Sequence, residues 1–378
     1  VQNVTRRVFR GRLEWPAAAV GASIAMRCRV ATPLRRLVPV AGRTTVMRRR
    51  MPEPSTAANE LAAGVIGVGS MGYHHARVYT ELPDVSLVGV SDVDSETAES
   101  VATEYGTRAV DREELLESVD LVSVAVPTRY HYETARACID KGVHVLVEKP
   151  FVDDMERGRE LADHASAAGV IVQVGHIERF NPATTVVTDI VPNLDIVSID
   201  IDRLGPPVDR GGDDSVVMDL MIHDIDILLS LVEGNIDSIA AAAHTDGHTT
   251  AQFRFDSGAI ASLTASRLTQ QKVRTLSVTA KSCRVNVDFI SQTVEIHRHS
   301  MPEYIESNGD IRFRHESVVE HPMVDTGEPL KAELESFVAA ARSGAKPVVT
   351  PEDGLHVLRV ANAIEGCAAR PDPVVSPR

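Results

Sequence analysis

The sequence predicts an α/β chain: an N-terminal doubly wound parallel sheet, then a C-terminal α+β domain built on a large, mostly antiparallel sheet. Three observations predict it. Short apolar runs alternate with amphipathic segments from Leu61 to His176, a glycine-rich turn follows the first of these runs, and beyond His176 the rhythm changes to longer, alternating strands.

The elements of the first half follow in order. LAAGVIGVG is a buried strand, followed by a helix through about Leu82. SLVGVSD is the second strand, and a helix is expected from Ser95 to Tyr105. REELLES leads into the apolar strand DLVSVAVP, HYETARACIDKG is a helix ending at Gly142, and HVLVEKP is the next strand. DDMERGRELADHASAAG has acids in its first turn and Gly169 at its end, which are helix start and stop signals. VIVQVGH closes the series. Right-handed crossovers place the ligand edge of such a sheet at the carboxyl ends of its strands.

In the second half, IVSIDIDRL, SIAAAAH, TAQFRF, AIASLTASRL, TLSVTA, CRVNVDF and TVEIHRH read as strands, several joined by tight turns. One helix, DSVVMDLMIHDIDILLSLVEG, is set among them, and two more close the chain. The expected division is residues 1–58 as an Arg-rich extension, 59–176 as the first domain, 177–370 as a substrate-binding and oligomerisation domain, and 371–378 as a tail. So few helices cover only one face of the second sheet. The other face is expected to be apolar enough to pair with a second copy, as a dimer or tetramer.

Composition narrows the function. The net charge of -14 disfavours nucleic-acid binding, and no apolar run is long enough to span a membrane. The four cysteines include no C-x-x-C pair, so neither a zinc ribbon nor a disulfide framework is expected, and a cytoplasmic setting fits. The first fifty residues carry twelve Arg, no Lys and one acid, Glu14. That stretch is readable as a targeting peptide, a nucleic-acid arm, or translated sequence upstream of a start at Met47 or Met51; the last is preferred, with the stretch disordered and functionally silent. The remainder is acidic and poor in Lys, as suits a protein working in high salt.

Gly67-Val68-Gly69-Ser70-Met71-Gly72 fits G-x-G-x-x-G in the strand-to-helix context that a dinucleotide requires. Gly67 permits the turn, Gly69 admits the pyrophosphate to the backbone, and Gly72 lets helix and strand pack closely. Asp92 ends the second strand, where its carboxylate can accept from the adenosine ribose hydroxyls and repel a 2′-phosphate; NAD is therefore expected as cofactor. Asp94 is expected to cap the next helix.

VPTRYH (126–131), EKP (148–150), GHIERFNPA (175–183) and DLMIHDID (219–226) follow in that order. With the glycine turn, they make the chain resemble the Gfo/Idh/MocA oxidoreductases over about residues 61–368. The resemblance implies Lys149 as the active-site lysine and His223 as the catalytic histidine, with Asp219 one helical turn before it. It implies Pro127, Thr128 and His131 along the nicotinamide ribose, and Glu148 beside the nicotinamide. Arg129 departs from the Asn common at its position.

The chemistry is consistent with that assignment. Oxidising a secondary alcohol requires a proton acceptor as hydride departs, a task for His223, with Asp219 at i−4 orienting the ring and Lys149 steadying the developing alkoxide; the reverse assignment of His223 and Lys149 stays open. His223-Asp224-x-Asp226 lacks a second His or Cys at ligand spacing, so no metal is expected, and Asp224 and Asp226 orient the helix or face solvent. The last two motifs resemble the branch of the family acting at C3 of UDP-activated amino sugars. This implies UDP-N-acetylglucosamine as substrate, with its uronate or inositol as alternatives. Arg179 and Asn181 would then line the substrate cleft, Arg179 pairing with a diphosphate unless a neighbouring acid claims it, and Arg267 is a weaker candidate for that task. A non-enzymatic NAD-binding regulator would share the glycines without needing Lys149 and His223.

Overall fold

The computed structural model describes residues 60–207, 215–244, 247–299, 303–307, 310–314 and 317–369. The Arg-rich extension and the C-terminal tail lie outside them. The first sheet holds β1 (Leu61–Ile66), β2 (Val85–Ser91), β3 (Leu121–Val124), β4 (His144–Glu148) and β5 (Val172–Gly175), all parallel, in the order β2-β1-β3-β4-β5. Strand order reverses between β1 and β3, the position where an open parallel sheet leaves a crevice for a ligand. The helices between these strands are α1 (Ser70–Glu81), α2 (Ser95–Tyr105), α3 (Arg112–Leu116), α4 (His131–Asp140) and α5 (Met155–Ala168). Asp94 caps α2 by accepting from the Glu96 amide, as expected, and Gly169 ends α5 at φ 68°.

After β5 comes α6 (Pro182–Ile190), which the sequence reading did not anticipate. A short apolar segment with Pro at its start lacks the length that makes helical periodicity visible. The second sheet follows the order β15-β12-β11-β10-β6-β9-β8-β7. Its strands are β6 (Ile196–Leu204), β7 (Ile236–His244), β8 (His248–Phe255), β9 (Ile260–Ser266), β10 (Val273–Ala280), β11 (Cys283–Asp288), β12 (Thr293–His299) and β15 (Ser317–Glu320). Neighbours are antiparallel except β6 with β9. β13 (Glu303–Ser307) and β14 (Asp310–Arg314) form a separate antiparallel pair. Between β6 and β7 the predicted single helix divides: Val217–Met221 is a π-helical turn, and α7 (Ile222–Leu231) continues from it.

Alternation decides which face of the second sheet is buried. Ile199, Ile201, Ala251, Leu263, Leu276 and Val285 point inward against α7 and the closing helix α9 (Pro351–Ala368). The outer face is not the apolar one expected. Ser198, Asp200, Thr264, Ser277, Thr279 and Asn286 lie on it, partly or fully exposed, with Ile260 as an apolar exception. Most of the strands alternate between apolar and polar, with the alanines of β7 an exception, so one face takes the apolar set and the other is largely polar.

The chain then returns to the first sheet. α8 (Pro329–Ser343) places Leu330, Leu334 and Phe337 in the core beside Val65 and Tyr79 of β1 and α1. α9 divides its contacts, Leu355 and Leu358 packing with the first sheet and Val357, Val360 and Ile364 with the second. Thr350 begins α9 with a reciprocal capping box to Asp353. Thr350→Ala is expected to destabilise the protein by about 1 kcal/mol, read as a lower midpoint in urea with an unchanged slope.

Candidate active site

The glycine turn is shaped to admit an anion. Gly67 has φ +83°, and a Cβ there would lie 2.8 Å from the Ala125 carbonyl oxygen. A Cβ on Gly72 would come within 1.8 Å of the Gly67 oxygen, so helix and turn pack backbone to backbone. Gly69, the N-cap of α1, faces open space and offers no side chain to the first amides of the helix, which Ser70 and Met71 begin. Such uncapped amides bind phosphate. Asp92 is held at the rim of this turn, Oδ2 accepting from the Val68 amide at 2.7 Å and Oδ1 from the Asp94 amide at 3.0 Å. An open cavity of about 610 Å³ borders Val68, Gly69 and Ser70 and runs between α1 and α2 past Asp94 and Glu96. It flanks the turn rather than reaching Lys149. Open backbone at Gly69, free helix amides and acids where a 2′-phosphate would lie fit NAD.

The ends of β3 and β4 are tied together by His131. Its Nδ1 meets the Pro150 carbonyl and its Nε2 the Val126 carbonyl, both at 2.8 Å, and burial lowers its pKa against the pull of the two carbonyls. Whichever nitrogen carries the proton, the ring lies between the Val126 and Pro150 carbonyls and joins the two loops. Pro127 and Thr128 open the short 3-10 turn that leads into His131. Arg129 lies over the Tyr130 ring at 4.8 Å.

Glu148 ends β4, one residue before Lys149. Its carboxylate turns into the core, where Oε1 meets His75 Nε2 at 2.9 Å and Oε2 accepts from the Lys149 amide at 3.2 Å. Burial alone would raise this carboxyl; His75 and Lys149 outweigh it and hold the pKa below the usual value.

Lys149, next in the chain, reaches the second half of the protein. Its Nζ donates to the Asp219 carbonyl at 2.8 Å and to Asp219 Oδ1 at 3.2 Å, while Asp219 Oδ2 takes Arg267 Nη2 at 2.8 Å. Burial pushes the Asp219 carboxyl up, but the two cations outweigh it and the pKa falls below the ordinary range. The expected hydrogen bond from the His223 ring to the Asp219 carboxylate is absent: both carboxylate oxygens accept from cations, and the π turn changes the angular offset that i and i+4 have on an α-helix. His223 keeps slight exposure, and its Nδ1 is buried with no partner. Burial, then Lys149 and Arg203, push its pKa well below the ordinary histidine value, so the ring is neutral at pH 7.

The structure also places three further groups named from the sequence, and for Arg179 it takes the alternative in which an acid claims the guanidinium. Arg179 gives its guanidinium to Asp226, Nε to Oδ2 at 2.6 Å and Nη2 to Oδ1 at 2.8 Å, so its fork is filled by a buried carboxylate rather than presented to a diphosphate. Asn181 is an N-cap: its Oδ1 accepts from the Ala183 amide at 3.1 Å and its Nδ2 donates to Phe289 O at 3.1 Å. Of the two alternatives for Asp224 and Asp226, the first holds: both are buried and anchor the helix, Asp226 to Arg179 and Asp224 to Arg203, which also reaches Glu178 at 2.8 Å.

Sequence reasoning passed over His176. It ends the run after β5, is fully buried, has both ring nitrogens without a partner, and lies close enough to lower the His223 pKa. A histidine closing a strand at the ligand edge of the sheet was the available signal. Arg203, Glu333 and His75 were also missed, because each has its partner far away in sequence.

Comparison with known proteins agrees with this geometry. Residues 61–176 match the oxidoreductase family with an NAD-binding Rossmann fold, and residues 200–286 match the GFO/IDH/MocA C-terminal domain. A UDP-N-acetylglucosamine 3-dehydrogenase of Acidithiobacillus ferrooxidans is 34% identical over 246 residues, 63% of this chain and 77% of the relative. A crystal form of that enzyme superposes with a TM-score of 0.73 at 30% identity, covering 82% of this chain and 98% of the other. A scyllo-inositol 2-dehydrogenase of Bacillus subtilis is 27% identical over 81% of this chain and 93% of its own. A levoglucosan dehydrogenase solved with NADH and levoglucosan shares the fold, with a TM-score of 0.70 at 20% identity over 82% of this chain and 97% of the other. The glycine turn, the acid ending β2 and the two-sheet architecture thus lie in a chain that belongs to the Gfo/Idh/MocA family of NAD-dependent oxidoreductases.

Proposed function

We propose that this chain oxidises a secondary alcohol of a nucleotide sugar, at C3 of UDP-N-acetylglucosamine, to the ketone. The observation that carries the reading is the bridge from Lys149 Nζ to Asp219, which brings a cation from the end of β4 to the turn that leads into His223. The family includes enzymes acting on other polyols, such as the inositol dehydrogenases; the 34% relative favours the nucleotide sugar.

NAD, when bound, accepts the carbinol hydride. His223, neutral at pH 7, takes the hydroxyl proton. Its Nδ1 is sealed in the protein, and Nε2 makes no hydrogen bond among the described residues, so Nε2 is the end that receives the proton. Lys149 already donates to Asp219, which favours it as the group stabilising the alkoxide oxygen over a role as base. Arg267, on the same carboxylate, adds a second cation beside the cleft and suits a substrate carrying a diphosphate. With Arg179 committed to Asp226, the positive side of the cleft is assigned to Lys149 and Arg267.

NADH formation is expected with UDP-N-acetylglucosamine, accompanied by a product lighter by two hydrogens. Faster turnover with inositol, or with the uronate, would overturn the substrate. Lys149→Ala and His223→Ala should each lower kcat by roughly a hundredfold or more while the fold persists by circular dichroism. Asp92→Ala should raise the KM for NAD by roughly tenfold and weaken discrimination against NADP, read from paired cofactor titrations.

The depressed His223 pKa sets the direction of the pH profile. The acid limb of kcat/KM, at saturating NAD, should fall at a pH below the ordinary histidine value near 6.5, and this limb should vanish in His223→Ala. The same group contributes stability that is fully present above the unfolded value and is lost as pH falls from there through the depressed folded value, because the unfolded chain takes up the proton more readily.

A further inference from the structure

Behind Lys149 lies a buried cluster that the reaction does not use directly. His75 of α1, Glu148 at the end of β4 and Glu333 of α8 are all buried, and one donor atom from each lies within 4.8 Å of the other two. His75 Nδ1 faces Ser123 Oγ at 2.9 Å, and Ser123 Oγ also meets the Tyr79 hydroxyl at 2.8 Å. With Tyr79 donating to Ser123 and Ser123 to Nδ1, the Nε2 proton points at Glu148. Glu148 is therefore provided for as a carboxylate.

Glu333 is not. It is 0% exposed, and neither carboxyl oxygen has a hydrogen-bond partner. α1 presents His75 and Tyr79 to the cluster, and β4 presents Glu148. From β5, Gln173 uses its Nε2 on the Glu333 backbone carbonyl. The charges acting on Glu333 come from Glu148 and from Asp226 of α7, both negative, and burial followed by these two pushes its pKa well above the ordinary range. A second anion would have no cation of its own here and a carboxylate for a neighbour. A metal ion would also balance two carboxylates, but both His75 nitrogens are already engaged and offer no lone pair to it.

We propose that Glu333 stands in the folded enzyme as a neutral carboxylic acid that turns its proton toward the Glu148 carboxylate, and that this pair, with His75, fixes the backbone of Lys149. Glu333 is then a positioning residue, supplied from the C-terminal part of the chain to the end of β4. The positioning half rests on Lys149 acting as proposed above; the protonation does not.

Infrared difference spectra of the wild-type protein against Glu333→Gln, at pH 7, should show the carbonyl band of a buried protonated acid, shifted in D2O. Its absence overturns the proposal. Glu333→Gln keeps a neutral donor of the same shape and should hold kcat within about threefold, whereas Glu333→Leu should lower kcat by roughly a hundredfold with little change in substrate KM. The wild-type profile should also fall at alkaline pH with an inflection that Glu333→Gln lacks. Equal kcat values in the two variants overturn the positioning role, and a stoichiometric metal in the wild type that is missing from Glu333→Gln overturns the neutral acid. If neither variant folds, pH titration of the wild-type band decides. A wrong substrate assignment leaves the band unchanged, so the two failures are distinguishable.

Discussion

An ammonium at the end of β4 donates to a carboxylate and a carbonyl of the same residue, Asp219, in a segment that belongs to the second sheet's layer. The two layers meet where these charges meet, and the partly buried ammonium would lose its partner if they parted. Arg267 holds the other carboxylate oxygen, so Asp219 is fixed from two sides. The packing of α8 and α9 serves the same closure. Both helices are late in the chain, and both contribute apolar side chains to the core around the first sheet. The cleft is thus bounded by an early sheet, a middle turn and late helices.

Beneath the cleft, α7 is held by two buried ion pairs rather than by apolar packing alone. Arg179 takes Asp226, and Arg203 takes Asp224 with Glu178. Arg203 Nη2 lies 2.8 Å from Asp224 Oδ1 yet off the line of a hydrogen bond, so that contact is purely coulombic. Burial pushes the Asp224 carboxyl up even with Arg203 beside it, which shows how much desolvation the pair must offset. Such pairs add little net stability compared with apolar groups of the same size, but they fix orientation, since removing one partner strands the other. Orientation is what His223 needs, standing one residue before Asp224 on the same helix.

Much of the fold was legible because it rests on local chemistry. The strand–glycine–helix context of Gly67 to Gly72 fixes the first crossover, and Asp94 and Gly106 bound α2 through a cap at each end. The order of the motifs pointed to Lys149, Asp219 and His223 as one group, but paired Asp219 with His223 rather than with Lys149. What stayed hidden was the choice of partner. Arg179 and Asn181 sit in a motif that reads as substrate-facing, yet their hydrogen bonds go to Asp226 and Phe289, 47 and 108 residues away. His75 and Glu148 are 73 residues apart, and Glu333 joins them only once α8 has docked. A side chain's type sets what it can donate or accept. Only the tertiary fold decides which group is there to receive it, and the unmatched carboxyl of Glu333 has no signature along the chain.

The π turn at Val217–Met221 carries a consequence of its own. A helix that holds one surplus residue within a turn is out of phase with a regular helix entered from the same point. Here the surplus coincides with Asp219, whose carbonyl and carboxylate are both claimed by Lys149. Deleting a single residue there would let the segment wind as a regular helix, with α7 keeping its phase while the Asp219 carbonyl and carboxylate shift away from Lys149. The imidazole would stay at the cleft and lose the ammonium beside it. Length, as well as identity, is thus under constraint in those five residues.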